Sequence, residues 1–215
     1  MNNLEDIADR ARESFDGRTA ARDQALSQAR TLTRNCANAI RAVHRNEFDT
    51  AQENLTEAER LAKALTENLL EYPDIYHAGY TQDALKEYAE ASIVYALISD
   101  GLLPSPEELN IRYSTYFKGL AEVVGELRRR CLDILRHGHS DEAEKLLEHM
   151  DDIYAVLVTM DYPDAITGGL RRLTDIARSI IERTRGDMTI SLRQAQLEDS
   201  LSQLEAQLNS GSSFG

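Results

Sequence analysis

Two short stretches of this sequence bring carboxylates together at helical spacing. EYAEA holds Glu87 and Glu90 three residues apart, and AEVVGEL holds Glu122 and Glu126 four residues apart. On a helix, either spacing places both side chains on one face. The face carrying Glu87 and Glu90 continues through Val94 and Leu97, so these acids head a stripe that otherwise reads as buried. Like charges so placed cost an isolated helix about 0.2–0.5 kcal/mol per pair. Partial burial raises that cost, so a compensating cation is expected nearby. If the two helices face each other, the four carboxylates form a hard-oxygen site suited to Mg²⁺ or Mn²⁺ rather than to Zn²⁺, which prefers His and Cys. Such a site activates water and offsets the charge that grows on a phosphate during hydrolysis. The plainer reading is a solvated face, because E-x-x-E and E-x-x-x-E pairs recur in a chain with 37 acidic residues. Gly119 and Gly125 flank the second pair. Each costs a helix up to about 1 kcal/mol relative to Ala, and each is small enough to let another backbone or a ligand come close.

A second constellation is basic. Between Gly17 and Asn46 stand six arginines (Arg18, Arg22, Arg30, Arg34, Arg41 and Arg45) against one acid, Asp23, a local balance of 6 − 1 = +5 in a chain whose net charge is −13. At about 100° per residue, Arg30, Arg34, Arg41 and Arg45 fall within an arc of roughly 60°, with His44 beside them. They lie opposite an apolar stripe of Ala25, Ala29, Cys36, Ala39, Ile40 and Val43. Charge segregated in this way is an interaction signal, and phosphates are gripped chiefly by Arg and Lys. The competing readings are a solvated face or ion pairs between subunits. Arg171, Asp175, Arg178, Glu182 and Arg185 alternate in sign and read as a self-satisfied surface ladder. His137 and His139 stand near a helix end, where they cap carbonyls or meet solvent. No Ser-His-Asp set, phosphate-cradling glycine loop, CxxC or HExxH occurs.

The elements that must carry these residues are helices. Apolar periodicity predicts them over about Arg18–Asn46, Phe48–Leu70, Thr81–Ser99 and Ser114–Arg136. A fifth begins at Ser140 or Asp141, where Glu144 completes a possible capping box with Asp141. A sixth runs from about Asp161-Tyr162-Pro163 to Arg185, and a final one follows Gly186. Tyr72–Tyr80 reads as a connector and Pro104 and Pro106 mark a loop, with Gly101 the expected left-handed residue closing the third helix. Ile190, Leu197, Leu201, Leu204 and Leu208 are spaced like heptads, but two heptads do not define a coiled coil. With 42% hydrophobic residues, 4 Pro and no Trp, the composition suits an all-α chain better than a turn-rich sandwich. One domain over residues 1–209 with a disordered tail at 210–215 is expected. Cys36 and Cys131 are too few for a disulfide scaffold and read as reduced core thiols. No leader and no apolar run near the roughly 20 residues of a membrane span is visible, so a cytoplasmic, membrane-free protein is expected.

At these residues the sequence resembles the translin family, and within it the translin-associated factor X branch, in a prokaryotic or archaeal type of single chain. The resemblance covers nearly the whole chain. It is carried by RNCANAIRAVHR, LKEYAEA, GLAEVVGELRRRCLDIL and DYPDAITGGLRRLTDIARSIIERTRGD, the last two being the more specific. It implies a seven-helix bundle assembling into a hollow, barrel-like octamer that encloses single-stranded nucleic acid or short duplex RNA, here as a homo-oligomer. Members of the factor X branch are Mg²⁺-dependent endoribonucleases, whereas translin itself mainly binds. By this resemblance Glu87 and Glu90 match the E-Y-x-E glutamates and Glu126 the acid closing the A-D-L-T-G-E type motif. Glu122 stands where that motif usually carries Asp, which keeps the charge and shifts one ligand by about one bond. Arg41, His44 and Arg45 sit where the family places basic nucleic-acid contacts.

The expectation is therefore a metal-dependent endoribonuclease acting on single-stranded RNA, with Glu87, Glu90, Glu122 and Glu126 holding Mg²⁺ or Mn²⁺ and Arg30, Arg34, Arg41, His44 and Arg45 holding phosphates. The rivals are a single-stranded DNA- or RNA-binding protein without catalysis, and a structural helical bundle whose arginines join subunits.

Overall fold

In the computed structural model, residues 3–138 and 141–211 are described, and every regular element among them is helical. In chain order the helices are α1 (Leu4–His44), α2 (Phe48–Asn68), α3 (Pro73–Tyr76), α4 (Gly79–Ile98), α5 (Tyr113–Leu135), α6 (Asp141–Leu157), α7 (Asp164–Thr167) and α8 (Leu170–Gly211). Among the described residues no helix is long and apolar enough to cross a membrane. The chain divides into two compact units between Val123 and Val124, inside α5, so no linker separates them.

In the first unit α1 packs along α2 and α4, and α2 touches α4. The seam is built from small and branched residues at helical spacing: Leu32, Cys36, Ala39 and Val43 of α1, Ala51, Ala58 and Leu65 of α2, and Leu85, Ala89 and Ile93 of α4, all fully buried. Alanines at the contacts bring helix axes close, which matters for the site below. α1 begins at Leu4, not at Arg18. Its residues up to Gln24 contribute nothing to the buried core, so the periodicity that marks the rest of the helix is missing there. The turn into α2 is tight, with Asn46 at φ 59°, a left-handed conformation that Asn tolerates. The connector after α2 contains α3, with Pro73 in its first turn.

α4 ends differently from expectation. Asp100, not Gly101, takes the left-handed conformation at φ 56°, and the Gly101 N–H donates to Ala96 O at 2.8 Å. The following loop is ordered by a reciprocal cap: the Ser105 N–H donates to Glu108 Oε2 and the Glu108 N–H to Ser105 Oγ. α5 then runs in the same direction as α4, because contacts advance along both helices together. Thr115 Oγ1 donates to Gln82 Oε1 at 2.6 Å, and four residues on, Gly119 lies against Lys86, Ala89 and Glu90. Gln82 in turn donates to the Tyr76 carbonyl at 2.7 Å. Thr115 and Gln82 are both buried and both satisfied, as buried polar groups must be.

In the second unit α8 packs on α6 and α7. Met150 of α6 and Ala177, Ile181 and Met188 of α8 are buried among its core residues. α8 is continuous through Gly186, where a helix break was expected. Its buried positions are Leu170, Thr174, Ala177, Ile181, Thr184 and Met188, spaced 4, 3, 4, 3 and 4, so the core stripe does not stop at the glycine. The single helix expected from Asp161-Tyr162-Pro163 to Arg185 is instead interrupted after α7, where Gly168 and Gly169 turn the chain with φ of 64° and 87°, a region favouring residues without Cβ. The expected charge ladder is half present. Arg178 pairs with Glu182 at 2.9 Å, whereas Arg185 leaves its own helix to grip both oxygens of Asp151 on α6. His139, Ser140 and residues 212–215 of the expected tail lie outside the described residues.

Candidate functional site

Three of the four glutamates come together. Glu87 and Glu90 of α4 and Glu122 of α5 each offer a carboxylate oxygen, and the three oxygens lie within 4.8 Å of one another. Sequence places them there in two steps. The i, i+3 spacing puts Glu87 and Glu90 on the α4 face that meets α5, and Gly119 lets α5 approach. A Cβ built on Gly119 stands 2.9 Å from the Lys86 carbonyl oxygen, 3.0 Å from Ala89 Cβ and 3.2 Å from the Glu90 nitrogen. Only glycine fits that backbone contact. Gly125, by contrast, has nothing within 4 Å of such a Cβ, so only the first of the two flanking glycines packs against another helix within the described residues.

Glu90 is 7% exposed, while Glu87 and Glu122 are half-buried. At an effective dielectric of about 20, carboxylates at such separations repel by roughly 3 kcal/mol per pair, which calls for a cation. Lys86 supplies one. Its ammonium lies 3.1 Å from Glu87 Oε1 and also donates to Glu122 Oε2. The Lys86 side chain is only 14% exposed. Burial works to lower its pKa, but the hydrogen bond and charge of Glu122, followed by those of Glu87, outweigh it and the net shift is upward. The carboxylate spacing calls for a compensating cation without saying which residue supplies it. The position of Lys86 next to Glu87 and four residues before Glu90 in LKEYAEA was the available signal.

Glu126 lies one turn beyond Glu122 on α5, partly exposed, with Arg129 Nη1 3.7 Å from its Oε2. Cys36 of α1 is fully buried. Burial, then the charges of Glu87 and Glu90, push its thiol pKa up.

The basic stripe is where helical periodicity put it. Arg30, Arg34, Arg41 and Arg45 are exposed, and His44 is partly so. Among the described residues none of the four arginines forms an ion pair, whereas Arg18 pairs with Asp74 and Arg22 with Asp23. Arg41, His44 and Arg45 gather at the C-terminal end of α1, where the helix dipole favours positive charge. Arg30 sits elsewhere: it lines a crevice of about 380 Å³ between α1 and α4, whose α4 wall includes Tyr80, Asp83 and Glu87. One member of the basic stripe therefore borders the same crevice as one of the clustered glutamates.

The geometry thus defines an all-α protein with a hard-oxygen cluster beside a basic helix face. No protein-family model matches the chain. An uncharacterized protein of Methanocaldococcus jannaschii is 32% identical over 192 residues, spanning 88% of this chain and 85% of the relative. Among solved structures, AfC3PO in complex with duplex RNA superposes with a TM-score of 0.81 at 31% identity, covering 89% of this chain and 98% of that one. AfC3PO alone matches with a TM-score of 0.81 at 30% identity. Apo-NeC3PO shares the fold with a TM-score of 0.79 at 23% identity over 86% of this chain and 96% of its own. The chain belongs to the translin family, the family of these C3PO proteins.

Proposed function

We propose that the protein is a divalent-metal-dependent endoribonuclease that holds RNA by its backbone on the arginine face of α1. The observation carrying this reading is the convergence of Glu87, Glu90 and Glu122 beside a crevice lined by Arg30. The similarity to AfC3PO, solved with duplex RNA, supports RNA as the ligand class. The donor set fits Mg²⁺ or Mn²⁺, because the three grouped side chains are all carboxylates. Glu126, one turn beyond Glu122 on α5, would serve as a fourth ligand or as the group that positions water. A bound metal would supply an activated water and offset charge on the phosphate. Arg30, Arg34, Arg41, His44 and Arg45 would hold phosphates on either side of the scissile bond, and the buried floor of the site would limit competing solvent. We further assign the protein to the factor X branch, acting as a barrel-like homo-octamer in the cytoplasm, where the buried free thiols of Cys36 and Cys131 stay reduced.

The test incubates labelled single-stranded and duplex RNA with the protein in Mg²⁺, in Mn²⁺ and in chelator. Cleavage is expected only with metal, falling at least about 100-fold in Glu90→Gln and Glu126→Ala while RNA binding persists, the loss typical of a removed catalytic group. Binding without metal-dependent cleavage favours the second reading, a non-catalytic nucleic-acid-binding protein. That reading draws on Lys86, which already occupies part of Glu122.

A further inference from the structure

We infer that Lys86 is a resident counter-cation that keeps the glutamate cluster assembled without metal and against which any divalent metal must compete, so that this lysine sets the metal affinity of the site. The inference rests on the metal-site reading above and adds to it a residue that reading does not need. Three carboxylates meet within 4.8 Å, one of them on the buried Glu90. Without a cation such a cluster would drive its helices apart or take up protons. Lys86 answers from within α4: its stem is packed away from water and its ammonium spans α4 and α5 through Glu87 and Glu122. The backbone of the same residue lies where α5 comes closest to α4, at Gly119, so the lysine is rooted at the contact that its ammonium spans. A metal entering here meets a fixed positive charge and a carboxylate oxygen already engaged. Both weaken its binding, and both disappear when the ammonium is removed.

The experiment titrates Mn²⁺ and Mg²⁺ into the full-length protein by calorimetry, alongside Lys86→Met, which keeps the stem and removes the charge, and Lys86→Arg, which keeps the charge. Melting curves are recorded with and without metal. Lys86→Met is expected to bind Mn²⁺ about tenfold more tightly, corresponding to about 1.4 kcal/mol. It should also melt lower than wild type without metal and gain more from metal. Lys86→Arg should bind as wild type does. Lys86→Gln repeats the measurement if the Met variant misfolds. Metal binding by wild type with equal or weaker binding by both uncharged variants overturns the inference and leaves the metal site standing. Failure of every form to bind metal overturns the metal-site reading and the inference with it. Binding by the uncharged variants alone supports the inference in its strongest form.

Discussion

Cys131 is fully buried in the second unit, and its environment makes a prediction at the scale of one side chain. Burial is the largest influence and raises the thiol pKa. The nearby Arg128 guanidinium lowers it, and Glu144 and Asp187 raise it, with the net result that it is pushed up to about 11. The folded chain therefore holds this proton more tightly than the unfolded chain, whose thiol titrates near 9.0. Stability linked to the group is fully present below about pH 9 and is lost as pH rises toward about 11. Denaturation midpoints measured between these values should fall with pH, and Cys131→Ala should flatten that fall. Burial also pushes Cys36 up. A thiol reagent at pH 7.5 should consequently label neither cysteine until denaturant is added, since the thiolate is the reactive form. Rapid labelling of the native protein would show that one of the two sites opens.

At the scale of helices, the decisive contact is α4 against α5 at Gly119. Gly119→Ala puts a methyl group into the Lys86 carbonyl and the Glu90 nitrogen, atoms that move only with the helix. Overpacking of this kind costs about 1–3 kcal/mol, of which helix propensity returns up to about 1. We expect a net loss of about 1–2 kcal/mol in chemical denaturation and weaker metal binding, because Glu122 is carried away from Glu87 and Glu90. Gly186→Ala is the matched control. That position is exposed with nothing within 4 Å, so the same substitution should stabilise by about 0.5–1 kcal/mol. These two glycines also show what could be read in the chain beforehand. Gly119 is legible as a helix-weakening residue and a place for close approach, whereas Gly186 reads only as a break between two helices. That break is absent because the core stripe of α8 uses Thr174 and Thr184, whose hydroxyls bond back to Leu170 O and Ile180 O and hide their burial from hydropathy. Most other boundaries lie within two or three residues of their periodicity, since apolar spacing reports directly which face is buried. The starts of α1 and α8 do not: none of residues 4–24 is fully buried, and the helix expected from Asp161-Tyr162-Pro163 is cut by the left-handed pair Gly168 and Gly169. The Glu pairs were legible as pairs, while their meeting, the identity of the cation and the crevice at Arg30 depend on how helices approach each other, which no spacing within one helix encodes.

For the whole molecule, the governing fact is a net charge of −13 alongside an exposed face of α1 whose arginines have no ion-pair partner among the described residues. Non-specific attraction to a polyanion is opposed by the average charge and favoured only where that face is presented. Binding to RNA should therefore be local, steeply salt-dependent and lost in discrete steps. Each single-strand phosphate neutralised contributes about 0.7 to the slope of log K against log salt. Removing Arg30 with Arg34, and separately Arg41 with Arg45, should lower that slope by up to about 1.4 per pair. Glu90→Gln, which lies outside the arginine stripe on α4, should leave it unchanged. A slope that stays constant through both double arginine variants while the assembly dissociates would assign the stripe to contacts between subunits instead. The distinction is sharp because phosphate release and subunit release differ in their dependence on protein concentration: the first gives the same slope at every protein concentration, and the second shifts with it.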